Sequence, residues 1–300
     1  MIVTVTLNPG LDYMAETPEL IKGRTNRTVS ESFRPGGKGL NVSVVLSRLG
    51  METKALGFCG GFTGEKLKSL IRLSGVDCDF MDIPGEETRI NVKIITDCVT
   101  ELNGMGVSFK KDQEHWLFNR VENLTKDDML VLSGALPRGE DSSFYARIME
   151  RVSCPVVVDA VGDALLKTLP LRPVMIKPNR EEVEGYFGLK DASRDQIIES
   201  LHELKKMGAR NVLFSDGANE GMLLAENGVL YTALPPRTSA KLRLYTVGAG
   251  DAMVAGFIYA YKTFSEPASW LRYSLAAGTA SVVGEFLADK ETVERLFLQG

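Results

Sequence analysis

Short runs of β-branched residues alternate with segments of helical periodicity along most of this 300-residue chain. One helical segment runs from Asn41 to Leu49, places Val42, Val45, Leu46 and Leu49 on one face and stops at Gly50. Such alternation is typical of parallel strands that are joined by crossover helices. We therefore expect an α/β fold in which a doubly wound, mostly parallel sheet is flanked by helices.

Four of the predicted strands end in a polar or charged residue. These residues are Ser133, Asp159, Lys177 and Ser215. Because the carboxyl ends of the strands line the ligand crevice of a doubly wound sheet, we expect their side chains to converge on one site. Two stretches, residues 11–34 and 86–109, break the alternation because they are rich in Thr, Val, Ile and turn residues. We interpret them as a small β-sheet lid on a single domain that spans residues 1–300.

The composition argues against several classes of function. With 35 Lys and Arg against 39 Asp and Glu, the formal net charge is −4, which does not favour nucleic acid or an anionic membrane as a partner. No apolar run approaches the roughly 18 residues of a membrane span, and the chain starts like a strand rather than a signal peptide. The four cysteines are widely spaced and form no ligand cluster with His115 and His202. We expect a cytoplasmic protein with free thiols.

Residues 246–251, Thr-Val-Gly-Ala-Gly-Asp, join a glycine turn, a helix start and a carboxylate. Apolar residues recur beyond them at helical spacing, so a helix is expected to begin near Gly250 with free amides at the turn. A carboxylate in a first helical turn often only complements the helix dipole. The flanking glycines, however, let backbone amides converge on an anion, and Asp251 is then placed to take a proton from an attacking hydroxyl. This combination indicates phosphate chemistry.

A second glycine turn, Gly36-Gly37-Lys38-Gly39, opens the predicted helix at Asn41. Its backbone can approach a ligand closely and Lys38 supplies a point charge, although such a turn is often a plain loop. The turn lacks the G-x-x-x-x-G-K-[ST] spacing of a phosphate-binding loop, and no G-x-G-x-x-G follows the first strand. A nicotinamide dehydrogenase is therefore disfavoured.

Polar residues of the lid segments have two interpretations each. Asp12 lies just beyond the first strand, where it is either a turn aspartate or a hydrogen-bonding partner for sugar hydroxyls. Arg89, Asn91 and Lys93 alternate along a predicted strand and therefore share one face. That face is either solvated or covers an anionic substrate, in which case Arg89 is a forked donor to phosphate.

The segment that follows Lys177 also combines a structural and a functional interpretation. Asn179 is a predicted helix N-cap, and Glu182 stands in register for a capping box. The same two side chains are suited to a hydrated magnesium ion, which keeps several waters and contacts few protein ligands directly. The two interpretations are compatible.

An ordered set of motifs resembles the ribokinase-like, PfkB-type carbohydrate kinases. The set comprises Asn8-Pro9 with Asp12, Gly36-Gly37-Lys38-Gly39 with Asn41, Thr88-Arg89-Ile90-Asn91, Thr100-Glu101-Leu102-Asn103, Ser133-Gly134, Lys177-Pro178-Asn179 and Gly248-Ala249-Gly250-Asp251. Its order and spacing match from near residue 3 to near residue 285. Within that family the chain is most similar to the branch of 1-phosphofructokinases and tagatose-6-phosphate kinases.

The resemblance implies transfer of a phosphoryl group from ATP, with Mg²⁺, to a ketohexose monophosphate, first of all fructose 1-phosphate. Asp251 would be the catalytic base, and the anion hole would be formed by Gly248, Ala249 and Gly250. The residues implied to hold the sugar phosphate are Asp12, Gly37, Lys38, Asn41, Arg89, Asn91 and Asn103. The residues implied to face ATP and its metal are Lys177, Asn179, Ser215 and Gly217, with Glu182 at the magnesium ion.

The resemblance also suggests a homodimer that forms through the lid. A lid sheet of this size has an apolar face, with residues such as Ile90 and Val92, that is too small to be stable alone and should pack on a partner.

Some positions depart from the family pattern. Ala135 stands where serine is common, Ala160 and Val161 replace hydroxyl residues, and the Gly217–Gly221 loop is one residue longer. These changes leave a catalytically weak sugar-phosphate sensor as a competing hypothesis, which the intact Asp251 argues against. Tagatose 6-phosphate is the alternative acceptor. The resemblance makes Asn103 favour fructose 1-phosphate, since 1-phosphofructokinases tend to carry asparagine at this position and tagatose-6-phosphate kinases an apolar residue.

Overall fold

The structure is a computed structural model that describes residues 1–108, 110–137, 139–238, 248–284 and 286–299. The strands of a large sheet are β1 (Ile2–Thr6), β4 (Thr53–Cys59), β5 (Asp77–Asp82), β8 (Met129–Ser133), β9 (Val156–Asp159), β10 (Met175–Ile176), β11 (Asn211–Phe214), β12 (Gly221–Leu224) and β13 (Leu230–Ala233). The strands of a small sheet are β2 (Gly10–Glu16), β3 (Ser30–Gly36), β6 (Arg89–Ile95) and β7 (Val99–Asn103).

Helices connect most strands of the large sheet. They are α1 (Lys38–Arg48), α2 (Gly61–Leu73), α3 (Lys111–Val121), α4 (Phe144–Met149), α5 (Asp163–Leu166), α6 (Arg180–Phe187), α7 (Arg194–Met207), α8 (Ala249–Thr263), α9 (Pro267–Val283) and α10 (Lys290–Gln299), with a 3₁₀ turn at Leu169–Leu171. Among the described residues, none of these helices has the length and apolarity needed to cross a bilayer.

The large sheet has the strand order β13-β12-β11-β10-β9-β8-β1-β4-β5. Its strands pair in parallel from β11 to β5, and β12 and β13 add an antiparallel edge. Successive side chains of a strand point to opposite faces, so Ile2 joins one apolar cluster while Val3 and Val5 join the other. Helices α1, α2, α8, α9 and α10 cover the first cluster, and α3 to α7 cover the second. The predicted doubly wound, mostly parallel α/β sheet is confirmed.

The small sheet is the predicted lid, and we call it the lid sheet. Its strand order is β3-β2-β6-β7, with antiparallel outer pairs and a parallel central pair, β2 with β6. The predicted segment 11–34 is slightly short, because the strands extend from Gly10 to Gly36. Residue 109, the end of the other predicted segment, lies outside the described residues. The turn interpretation of Asp12 is wrong, since the residue lies within β2 opposite Asn91.

Helix starts agree with the glycine signals. The helix expected near Gly250 begins at Ala249, with Gly248 as its N-cap, while Thr246 and Val247 of the same motif lie outside the described residues. The helix predicted at Asn41 begins earlier, at Lys38, because the glycine turn itself forms the helix start. The four cysteines are free thiols, as expected.

Candidate active site

The start of α8 forms an anion site from backbone groups. Gly248 adopts φ 85°, and a Cβ there would lie 2.5 Å from Leu287 Cδ2, so the position requires glycine. The Ala252 N–H donates to the Gly248 carbonyl at 2.8 Å. The amides of the three preceding residues therefore have no acceptor within the helix. With the positive end of the helix dipole, they favour a negatively charged ligand.

Asp251 lies in the first turn of α8 and is 6% exposed. Its Oδ2 accepts a 2.8 Å hydrogen bond from the Asn41 side-chain amide on α1. Burial, followed by the negative charge of Asp159, raises the pKa of Asp251 to about 6. A carboxylate with a pKa near neutrality, fixed beside an anion site, is suited to remove a proton from a hydroxyl.

Asp159, at the end of β9, lies between two lysines. It is 1% exposed, and its two oxygens lie 3.4 Å from Lys38 Nζ and 3.5 Å from Lys177 Nζ. Burial opposes its charge, but the two ammonium groups keep the pKa of Asp159 below its ordinary value. A Cβ on Gly250 would lie 3.2 Å from Lys177 Nζ, so this ammonium borders the anion site. Negative charge that develops there would meet both amides and lysines.

Asp12 forms a second polar centre on the lid sheet. Its Oδ1 accepts a 2.7 Å hydrogen bond from the Asn91 side chain, and Lys93 Nζ lies 3.9 Å from its Oδ2. A Cβ on Gly36 would lie only 2.1 Å from Asp12 Oδ1, which explains the glycine at the end of β3. Burial raises the pKa of Asp12.

Several buried polar atoms in the region of Asp251 and Asp12 have no hydrogen-bond partner within the described part of the chain. They are Thr6 Oγ1, Asn8 Oδ1, Asn41 Oδ1, Arg89 Nε, Asn91 Oδ1 and Ser133 Oγ. Because buried polar groups are almost always paired in native proteins, such a set indicates a polar ligand. The donors and acceptors fit hydroxyl and phosphate groups.

The start of α6 has the predicted cap. Asn179 Oδ1 accepts from the Glu182 N–H at 2.8 Å, and the Glu182 carboxylate accepts from the Asn179 N–H at 2.9 Å. Ser215 pairs with Asn179 in a single β-bridge, and Gly217 has φ 58°. The structure forms no group of three His, Cys, Asp or Glu side chains suited to a metal, as far as its described residues extend.

Comparison with known proteins decides the class. A family model described as pfkB family carbohydrate kinase matches residues 7–285. The chain belongs to the pfkB family. This membership confirms the resemblance that the ordered motifs indicated.

Several relatives of this pfkB-family chain have names that specify a phosphorylated ketohexose as substrate. It is 36% identical over 299 residues to a 1-phosphofructokinase of Bacillus subtilis, covering 99% of this chain and 97% of the relative. It is 32% identical to a D-tagatose-1-phosphate kinase of Bacillus licheniformis, covering 98% and 97%. The tetrameric inhibited form of phosphofructokinase-2 from Escherichia coli superposes with a TM-score of 0.89 at 25% identity, covering 99% and 98%. The ribokinase-like fold is thereby confirmed.

The structure of the pfkB-family chain brings most strand-end residues together as expected. Ser133 is the register partner of Asp159, and Lys177 is ion-paired with Asp159. Ser215 instead lies against Asn179, one strand further on. Asn103 is exposed on β7, opposite Asn91, and its amide lies 3.4 Å from Glu101 Oε2.

Three residues near the proposed carboxylates, Asp159, Lys93 and Glu101, have contacts that the sequence does not predict. The sequence places Asp159 at the crevice as a strand-end residue but gives no sign of its two lysine partners. From the sequence, Lys93 only shares a strand face with Arg89 and Asn91, and Glu101 only belongs to the motif Thr100-Glu101-Leu102-Asn103. Their pairing at 2.8 Å depends on the register of β6 and β7.

Proposed function

We propose that this chain transfers the γ-phosphoryl group of ATP to fructose 1-phosphate, giving ADP and fructose 1,6-bisphosphate. The observation that carries the proposal is the buried Asp251 beside three amides that have no acceptor within their helix, with Lys177 at the same glycine turn. The names of the relatives in Bacillus support a phosphorylated ketohexose as the acceptor.

Asp251 acts as the general base in this proposal. It takes the proton from the C6 hydroxyl of fructose 1-phosphate as that oxygen attacks the γ-phosphorus, and the bond to the leaving ADP oxygen breaks. With a pKa of about 6, the carboxylate is mainly ionised above neutral pH. The amides at the start of α8, together with Lys177, neutralise the charge of the transferred group. Phosphoryl transfer depends mainly on such positioning and neutralisation.

ATP and Mg²⁺ fit the residues at the start of α6. A magnesium ion bound with ATP needs only one or two protein carboxylates, because waters and phosphate oxygens supply its other ligands. Burial opposes the charge of Lys38, but the negative charges of Asp159, Asp251 and Glu182 raise its pKa above the ordinary value. The Glu182 carboxylate therefore acts on the same region as Asp251. When bound, the ion would neutralise the phosphate oxygens of ATP. Lys177, Asn179, Ser215 and Gly217 would line the nucleotide side.

The acceptor is held from the lid side. Asp12 and Asn41 form hydrogen bonds with sugar hydroxyls. The phosphate that the sugar already carries is bound by Arg89, Asn91 and Lys38. Arg89 Nε, a donor suited to phosphate, and Asn91 Oδ1, an acceptor suited to a sugar hydroxyl, have no partner among the described residues, and both face the acceptor in this proposal. Gly37 allows the close approach, since it adopts φ 135° between the lid sheet and α1. Asn103 reaches the acceptor from β7.

A tagatose phosphate is the second candidate acceptor. The relative in Bacillus licheniformis is named for D-tagatose 1-phosphate, which differs from fructose 1-phosphate only in configuration at C4. Tagatose 6-phosphate remains the alternative that the sequence motifs suggested. Both compounds therefore belong in any test of the acceptor.

We also infer that the chain forms a homodimer through the lid sheet. The register places one residue of each lid strand in a row on the face opposite Asp12, and this row consists of Phe33, Tyr13, Val92 and Leu102. Phe33 is 45% exposed and Leu102 is 70% exposed. A second copy would cover this apolar row, which otherwise stays in water. The tetrameric relative supports assembly in general.

The reaction is tested by identifying its products. The protein is incubated with fructose 1-phosphate, ATP and Mg²⁺, and ³¹P NMR follows the sugar phosphate. We expect a second phosphomonoester on the sugar, with one ADP formed for each. Hydrolysis of ATP without a new sugar ester would reject the kinase assignment, and binding of the sugar phosphate without turnover would favour the sensor hypothesis.

A further inference from the structure

The lid sheet contains a buried lysine that the proposed reaction does not yet use. Lys93 is 6% exposed and lies on β6, two residues beyond Asn91. Its Nζ lies 2.8 Å from Glu101 Oε1 on β7 and 3.9 Å from Asp12 Oδ2 on β2. A buried ammonium is costly unless carboxylates surround it in good geometry. One cation thus serves two carboxylates on the two neighbouring strands.

The same contacts extend across the sheet to the exposed strand. Glu101 Oε2 lies 3.4 Å from the side-chain amide of Asn103, and the register sets Lys93 opposite Glu101. At the other end, Asn91 donates to Asp12. A continuous polar row therefore joins the proposed sugar-binding carboxylate to the proposed specificity residue.

We propose that Lys93 is a positioning residue that keeps Asp12 ionised and fixed for sugar hydroxyls, and that Glu101 moderates this effect by holding the ammonium towards β7. The inference rests on the proposed function, because it assumes that Asp12 holds the acceptor. An ionised Asp12 accepts hydrogen bonds with both oxygens, whereas a protonated one presents a donor in the wrong place. Lys93 itself need not contact the substrate.

Lys93 and Glu101 have opposite effects on the pKa of Asp12. Burial raises the pKa of Asp12, and the hydrogen bond from Asn91 and the charges of Lys93 and Arg89 lower it. Glu101 raises it. Arg34 on β3 is the register partner of Asp12 on the other side and carries a further positive charge. Removing the lysine should thus extend the protonated form of Asp12 to higher pH, and removing the glutamate charge should restrict it to lower pH.

The test measures the Kd of fructose 1-phosphate by calorimetry, without ATP, between pH 5.5 and 8. The full-length wild type is compared with Lys93→Met, Lys93→Arg and Glu101→Gln. Titration of the ligand phosphate is common to all four proteins, so the ratio of variant to wild-type Kd isolates the effect of the substitution at each pH. The Kd of ATP in each protein and the thermal unfolding temperature control for general damage.

For Lys93→Met we expect the Kd ratio to rise as the pH falls, reaching on the order of 10-fold when the pKa moves by one unit. For Glu101→Gln we expect the ratio to fall below one at the acid end. Lys93→Arg, which keeps the charge, should restore the wild-type pH dependence, and the Kd of ATP should be unchanged in all variants.

A Lys93→Met ratio that is constant with pH would overturn the inference, as would changes of the same sign for Lys93→Met and Glu101→Gln. Either result, with wild-type protein that binds and phosphorylates fructose 1-phosphate, would leave the proposed function intact. Wild-type protein that neither binds nor phosphorylates fructose 1-phosphate would instead overturn the proposed function, and this inference with it.

Discussion

The side-chain amide of Asn41 donates a 2.8 Å hydrogen bond to Asp251, a residue 210 positions further along the chain. Asn41 lies on α1, the helix that follows the lid strand β3 through Gly37, and Asp251 lies at the start of α8. The side-chain oxygen of Asn41, Oδ1, has no hydrogen-bond partner within the described residues. Asn41 thus orients the proposed base while it keeps an acceptor free for a sugar hydroxyl.

Replacing Asp251 by Asn should lower kcat by on the order of 10²–10⁴, the usual effect of losing a positioned general base. ATP binding should stay close to wild type, because the amides of the anion site remain. Steady-state kinetics and calorimetric ATP titration measure the two effects. Asp195→Asn is a matched control, since Asp195 is an exposed aspartate in the first turn of α7. Retention of more than about a tenth of kcat would show that another group takes the proton.

The acid side of the pH–rate profile should report Asp251. Its pKa is raised to about 6 by burial and by Asp159, and only the ionised form accepts a proton. The pH dependence of kcat/KM reports groups of the free protein, so after allowance for titration of the substrates kcat/KM should be level above this pKa and fall about tenfold for each unit below it. A profile that stays level down to pH 5 would exclude Asp251 as the base whose ionisation limits the reaction.

Arg89→Ala should weaken the sugar phosphate far more than ATP. The guanidinium lies on the lid sheet, and its buried Nε has no acceptor among the described residues. A charge-assisted hydrogen bond contributes about 1.5–3 kcal/mol, so KM for the sugar phosphate should rise roughly 10- to 150-fold. Arg24→Ala, an exposed arginine between β2 and β3, is the control. Equal changes in KM for both substrates would contradict a role at the acceptor.

A charge on the apolar face of the lid sheet should dissociate the dimer. Leu102→Glu places a carboxylate in the row formed by Phe33, Tyr13, Val92 and Leu102, where a second copy would bury it at high cost. Light scattering at micromolar concentration should then give the mass of one chain. Leu298→Glu, on α10, changes an even more exposed leucine (82%) outside the lid and should leave the mass unchanged. A wild-type protein that is already monomeric and fully active would refute the lid dimer.

Local patterns predicted the large sheet well and the polar contacts across the lid poorly. Strands such as Val156–Asp159 and the cap at Asn179 follow from short-range chemistry, so the sequence is sufficient for them. The sequence alone is equally consistent with Asp12 in a turn or at a ligand, because the choice depends on pairing with β6, a strand far along the chain. The contacts of Asp159 with Lys38 and Lys177 likewise arise only when three separate elements meet.

The acceptor preference tests the account most directly. The measurement is kcat/KM from a coupled ADP-release assay, with fructose 1-phosphate, tagatose 1-phosphate and tagatose 6-phosphate under matched conditions. We expect kcat/KM for fructose 1-phosphate to exceed that for tagatose 6-phosphate by roughly 5- to 150-fold. The reason is that a site built for a hydrogen bond to the acceptor, here the proposed one from Asn103, loses about 1–3 kcal/mol when the partner is missing. Equal or higher kcat/KM with either tagatose phosphate would contradict the assignment of fructose 1-phosphate as the acceptor.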